Sequence, residues 1–198
     1  IGADSRGPAS IYIATDSRIS WDTKQHWDKG RKVFACQNLP EIFGYVGDVL
    51  FPTLVIGQVV NAIDAGLLLQ SSDTPQERAD KISSAFKNAF SGVPPSQQNE
   101  FKIIYVTRQD DKMEASFHAF AISWNKETAW STERIKTPST SDTIVIWGSG
   151  ATSIGRWRDR WNQSSQKDTS RAIFSSLCDS IQGAADPKSG GAPQLVGI

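Results

Sequence analysis

The sequence holds 198 residues, 38% of them hydrophobic, enough for one sizeable buried core and short for two. Twenty-one basic and twenty-one acidic residues cancel, which removes the broad electrostatic footprint that nucleic acid or an anionic membrane surface requires. No apolar run approaches the roughly 18 residues of a bilayer span and no charged-then-apolar leader opens the chain, so a soluble, cytoplasmic single domain over residues 1–198 is expected.

Along the chain, β-branched and aromatic residues over 9–16 follow the turn signal Gly7-Pro8, predicting a strand entered from a hairpin. A polar loop carrying Trp21 and Trp27 runs to Gly30. Two short apolar runs, Lys32–Gln37 and Glu41–Val46, flank Asn38-Leu39-Pro40 and predict a second hairpin. From Asp48 to Leu69 the period becomes helical, with Leu50, Leu54, Ile63 and Leu67 among the apolar positions of a well-buried helix and Pro52 tolerated in its first turn. Ser72-Asp73-Thr74-Pro75 caps a second helix whose inner face is Ala79, Ile82, Phe86 and Phe90. Residues 93–98 read as loop.

Phe101–Thr107, Ala115–Ser123 and Thr128–Ile135 read as a meander of three strands, joined by turns at Gln109–Lys112 and Asn125-Lys126. Thr143–Trp147 reads as a further strand before Gly148-Ser149-Gly150. Ile154, Trp157 and Trp161 mark a third helix, and Ala172, Phe174, Leu177, Cys178 and Ile181 a fourth, before a last strand at Gln194–Ile198. Helix pairs between groups of antiparallel strands favour an α+β fold, a four-layer αββα sandwich of two stacked sheets with helices outside each. There is no internal repeat; the near-match of 3–6 to 15–18 spans a hairpin and carries little weight.

The common catalytic signatures are missing. Cys36 and Cys178 lack CxxC spacing and read as buried reduced thiols; His26 and His118 have no metal-ligand spacing and read as structural, so no metal or cofactor is expected. There is no nucleophile elbow, Walker loop or dinucleotide fingerprint. The seven tryptophans suit interfaces as well as cores, with a core role expected for most.

Five segments remain, and together they resemble the proteasome β subunit and its bacterial ring-peptidase relatives, N-terminal-nucleophile (Ntn) hydrolases. They are Ala14-Thr15-Asp16-Ser17-Arg18, Lys32 followed by Val-Phe, Val46-Gly47-Asp48 before a long helix, Gly148-Ser149-Gly150, and Asp186-Pro187-Lys188-Ser189-Gly190-Gly191. Each alone is weak; their order and spacing match over nearly the whole chain. The resemblance implies a nucleophile on the mature N-terminal residue, threonine rather than serine or cysteine, with its own α-amine as base, a group titrating near 7.7–8.0. It further implies Lys32 beside the nucleophile, Asp16 holding Lys32 charged, the Gly47 N–H as oxyanion donor, and Ser149, Asp186 and Ser189 around the α-amine. Ile19, Phe34, Tyr45 and Val49 fall at the substrate pocket, where Tyr45 favours small or flat apolar side chains over basic ones.

Each position also has a plain structural use: Asp16 and Lys32 as an inter-strand ion pair, Gly47 as a helix-entry glycine, Ser149, Asp186 and Ser189 as turn residues. Ile1 cannot be the nucleophile. Asp16 lies fifteen residues after it, so an ungapped match puts the nucleophile on the residue before Ile1. Alternatively, 2–10 contain an inserted stretch of hairpin and about four residues of the first strand precede Ile1. The implied activity is hydrolysis of peptides or unfolded protein by a homo-oligomeric ring, with an ATPase unfoldase as candidate partner. A catalytically silent scaffold subunit and an amidase for a small molecule are the competing readings.

Overall fold

The structure, a computed structural model, describes residues 1–4, 7–110 and 115–198. The expected turn at Gln109–Lys112 lies partly outside them, as does the near-match at 3–6. The described chain divides into two compact units, one of 1–33 with 137–197 and one of 34–136 with Ile198. Its elements are α+β, with four helices and antiparallel ladders among the described residues.

The second unit is built on a five-stranded sheet. Strands β6 (Val33–Ala35), β7 (Glu41–Gly47), β8 (Phe101–Gln109), β9 (Ser116–Asn125) and β10 (Ala129–Ile135) neighbour one another in sequence order. The first turn closes where Cys36 N–H donates to the Glu41 carbonyl at 2.9 Å. Phe43 stacks on Tyr105 at 5.1 Å and Tyr105 on Phe120 at 5.9 Å, a row of cross-strand aromatics of the kind that fixes register.

Helices α1 (Leu50–Asp64) and α2 (Pro75–Phe90) share this core. The start of α2 is set locally: Thr74 accepts from the Glu77 N–H, Glu77 returns the bond, and Pro75 occupies the first turn. Ala79, Ile82, Phe86 and Phe90 are all buried. For α1, Ile63 is buried as expected, but Leu50 and Leu54 are 61% and 58% exposed and Leu67 lies beyond the helix end. The buried positions are Phe51, Pro52, Val55, Ile56, Val59, Val60 and Ile63. The segment is apolar nearly all round, so periodicity alone could not choose the side, and the bulkier aromatic and β-branched face took the sheet.

The first unit is made of short ladders. Strands β1 (Gly2–Asp4) and β2 (Gly7–Ser10) form the N-terminal hairpin, β3 (Tyr12–Thr15) pairs with β11 (Gln194–Gly197), and β4 (Ile19–Ser20) pairs with β5 (His26–Trp27) inside the expected loop. Helices α3 (Ala151–Trp161) and α4 (Ser170–Gln182) pack together, with Ser180 Oγ 2.8 Å from Ser153 Oγ and Trp161 Nε1 donating to Asp179 at 2.8 Å.

Three further expectations change. Residues 143–147 form no strand: their side chains are β-prone, but they join no ladder among the described residues, and a strand exists only as part of one. Of the tryptophans only Trp124 and Trp130 pack on the core of the second unit; Trp21 and Trp27 are exposed on the β4–β5 hairpin. Cys36 and Cys178 are free thiols but only partly buried, with burial pushing Cys36 up to about 12.

Candidate functional site

Asp16 directly follows β3 and Lys32 directly precedes β6, and in the first unit their side chains meet, Lys32 Nζ to Asp16 Oδ1 at 2.7 Å. Both are largely withdrawn from water, 15% and 13% exposed. The other carboxylate oxygen accepts the Arg18 N–H at 3.1 Å and the Gly190 N–H at 2.9 Å. Two backbone donors and an ammonium give the Asp16 charge what a buried carboxylate needs. Lys32 is fixed through its backbone as well: its N–H donates to Gln194 Oε1 at 3.0 Å, and Gln194 Nε2 donates to the Gly30 carbonyl at 2.6 Å.

Ser149, Asp186 and Ser189 form a second knot in the same unit. Both hydroxyls donate to Asp186 Oδ2 at 2.6 Å, and the Lys188 N–H donates to Oδ1 at 3.1 Å. Burial pushes the Asp186 carboxyl up, but these bonds outweigh it and the group sits below its ordinary value. Gly190 joins the two knots, because it follows Ser189 in sequence while its N–H serves Asp16.

Glycines make this convergence possible. A Cβ on Gly190 would lie 2.3 Å from the Arg18 guanidinium, and one on Gly150 would lie 2.7 Å from Ser189 Oγ. Gly191 has φ +74° and leaves room for Ser17 Oγ, itself bonded to the Asp28 carbonyl at 2.8 Å. Arg18 braces the turn, binding both Asp28 oxygens at 2.7 and 2.8 Å and the Pro187 carbonyl at 3.0 Å. The hydrogen bond to Asp28 raises Arg18 and lowers Asp28. Sequence reading missed the parts of Asp28 and Gln194. The only signal for either was position, one in a polar loop and one opening the last strand.

The remaining sequence candidates separate by unit. Ile19 belongs to the first, with its side chain against Gly30. Gly47, Phe34, Tyr45 and Val49 belong to the second: Phe34 and Tyr45 are buried in its core, Val49 packs against it, and the Tyr45 hydroxyl pairs with Thr53 Oγ1 at 2.8 Å. Gly47 has φ +93°, and a Cβ there would meet the Glu100 carbonyl at 2.5 Å, so the backbone itself demands glycine. His118 lies between Ser116 Oγ at 3.0 Å and Arg134 at 2.6 Å, with burial and then Arg134 lowering it. Among the described residues no three His, Cys, Asp or Glu side chains gather to hold a metal, and no helix is long and apolar enough to cross a membrane.

No protein-family model matches the chain, and no curated protein matches it by sequence. Solved structures do. Eukaryotic HslV from Trypanosoma brucei superposes with TM-score 0.55 at 12% identity, over 95% of this chain and 92% of that one. BPH from Thiobacillus denitrificans in complex with epoxomicin gives 0.60 at 10%, over 96% and 92%. The helical assembly of the Anbu complex from Pseudomonas aeruginosa gives 0.63 at 12%, over 94% and 76%. At such identity the likeness concerns the fold: the chain folds as these proteasome-β-type proteins do, in line with the motifs that first suggested it.

Proposed function

We propose that this chain is a proteasome-β-type peptidase whose nucleophile is the N-terminal residue of the mature protein, upstream of Ile1. The observation that carries the reading is the joining of two polar knots, Lys32–Asp16 and Ser149–Asp186–Ser189, through Gly190. A fold alone gives no activity, and a lone ion pair is commonplace. A lysine held by a saturated carboxylate, beside a carboxylate held by two hydroxyls, suits nucleophilic catalysis by a chain terminus. The cation lowers the cost of a deprotonated nucleophile, and the acceptors orient an amine.

The chemistry follows in two halves. The nucleophile's hydroxyl oxygen attacks the peptide carbonyl carbon while its proton passes to the free α-amine. The C–N bond then breaks as that proton moves to the departing amine, leaving an ester on the enzyme. Water cleaves the ester by the same proton route in reverse, releasing the acid and restoring the hydroxyl. Lys32 stabilises the oxygen's developing negative charge, Asp16 keeps Lys32 in place, and Asp186 with Ser149 and Ser189 orients the amine. The oxyanion role of Gly47 and the pocket roles of Ile19, Phe34, Tyr45 and Val49 rest on the resemblance alone. Assembly as a homo-oligomeric ring fed by an ATPase unfoldase belongs to the same proposal.

A second reading, a silent scaffold subunit, is favoured by one observation: every oxygen of Asp16 and Asp186 already has a structural partner. Treatment of the mature protein with a peptide epoxyketone separates the two. Covalent modification of the N-terminal residue, lost on Lys32→Ala, supports the peptidase; an unmodified, correctly assembled protein that cleaves no fluorogenic peptide leaves the scaffold.

A further inference from the structure

Lys32 carries the proposed chemistry, yet it belongs to no strand: residues 30–32 stand outside the ladders, directly before β6. Backbone groups without a strand neighbour still need partners. Here one side chain serves two of them, because Gln194 Oε1 accepts from the Lys32 N–H at 3.0 Å while Gln194 Nε2 donates to the Gly30 carbonyl at 2.6 Å. The carboxamide bridges the residues on either side of Arg31 as the peptide of an adjacent strand would. It carries a donor and an acceptor on one planar group, which neither a carboxylate nor an ammonium does.

The bridge closes a frame around the ion pair. The Gly30 N–H donates to the Ser17 carbonyl at 2.9 Å, Ser17 follows Asp16, and Asp16 Oδ1 accepts from Lys32 Nζ at 2.7 Å. Gln194 itself pairs with Thr15 in the β3–β11 ladder, so the residue before Asp16 carries the clamp. Lys32 is thus held at both ends, its ammonium by Asp16 and its backbone by Gln194, and the two holds meet on adjacent residues. A lysine stem is flexible, so the carboxylate contact alone leaves several paths of the chain open; fixing the backbone removes most of them.

We infer that Gln194 is a positioning residue of the candidate site, acting through Lys32 by setting the backbone from which the ammonium reaches out, so that the last strand of the chain takes part in the reaction geometry. The effect on rate rests on the peptidase reading; the placement of Lys32 does not. A charged group displaced by about 1 Å is enough to cost a reaction roughly 100-fold, which gives a side chain that never meets the substrate a measurable part in it.

Peptide hydrolysis and the Lys32 side-chain NMR resonances test this in the full gene product, with Gln194→Ala, Gln194→Glu and, as a stability control in the second unit, Thr74→Ala, which removes the cap of α2. Gln194→Ala is expected to lower kcat about 10- to 100-fold with KM within about twofold, while Thr74→Ala keeps kcat. Gln194→Glu retains the acceptor but lacks the donor while ionised, and regains it on protonation. Its kcat relative to wild type should therefore climb as pH falls from about 8 to about 5, a recovery that Gln194→Ala does not show. If Gln194→Ala does not fold, Gln194→Glu carries the test alone, compared with itself across pH. Wild-type kcat in Gln194→Ala, a loss matched by Thr74→Ala, or a Gln194→Glu ratio that is flat with pH overturns the inference and leaves the peptidase reading standing. If the wild type neither hydrolyses peptides nor takes a peptide epoxyketone, the peptidase reading falls and the resonances decide: moved in Gln194→Ala but not in Thr74→Ala, they support the clamp on Lys32; unmoved, they overturn it.

Discussion

Lys32 Nζ sits 2.7 Å from Asp16 Oδ1, and Asp16 is held in turn by the Arg18 and Gly190 N–H groups, so the lysine's position is set by backbone from both ends of the chain. Asp16→Asn keeps the shape but removes the charge that faces Lys32. Its expected cost is about 2–3 kcal/mol of stability, because a mostly buried ammonium loses its partner. On the peptidase reading, Lys32→Ala lowers kcat/KM by at least about 100-fold, with a smaller change in melting temperature than Asp16→Asn. Urea unfolding and peptide hydrolysis read the two effects independently; equal loss of stability and unchanged hydrolysis in Lys32→Ala would reduce the pair to a structural one.

Asp186 offers a pH test. Its carboxyl is held below the ordinary value near 3.9 by Ser149, Ser189 and the Lys188 N–H despite the opposing effect of burial. A depressed folded value means the unfolded chain binds the proton more readily, so the group stabilises the fold above the unfolded value and loses that contribution as pH falls through the folded one. The wild type should therefore melt higher than Asp186→Asn at pH 6–7, with the gap closing below about pH 4. A gap that does not narrow at all as pH falls below about 4 would mean the bonds do not depend on the charge.

What the sequence made legible was chiefly what one or two residues decide locally. Thr74, Pro75 and Glu77 announce the start of α2, and the order of Asp16, Lys32, Ser149, Asp186 and Ser189 picks out residues that form two hydrogen-bonded clusters in one unit, the candidate site. The inner face of α1 was not legible, since Leu50 and Leu54 are as apolar as Phe51 and Val55 and only the sheet decides between them. Nor was the part of Asp28, a loop carboxylate whose importance depends on Arg18 reaching it, nor that of Arg78, which reads as one charge on a polar helix face.

Two glycines give opposite expectations. Gly47→Ala places a methyl 2.5 Å from the Glu100 carbonyl at φ +93° and is expected to cost about 2 kcal/mol or more. Gly57, inside α1, has nothing within 4 Å of an added Cβ. Gly57→Ala should stabilise by roughly 0.5–1 kcal/mol through helix propensity alone. Chemical denaturation of both variants checks the pair, and a destabilised Gly57→Ala would show that this face of α1 is covered in the assembled protein.

Glu41 is a carboxylate wholly shielded from solvent at the start of β7. It takes hydrogen bonds from Arg78 at 2.7 Å, the Tyr105 hydroxyl at 2.6 Å and Thr107 at 3.0 Å. Burial pushes its carboxyl up, and the three donors pull against it. Arg78 also binds the carbonyls of Ser71 and Asp73, so the network ties the connection after α1 to the sheet. Glu41→Gln leaves the Arg78 charge without a counterion in a site that water does not reach, and about 3–5 kcal/mol should be lost. Replacing both, Glu41→Leu with Arg78→Leu, removes the unpaired charge and should recover part of that loss, because apolar substitutes for a buried pair are often tolerated. A double-mutant cycle by urea unfolding measures the coupling. Additive losses would show that the pair is not a unit and that Tyr105 and Thr107 suffice to hold Glu41.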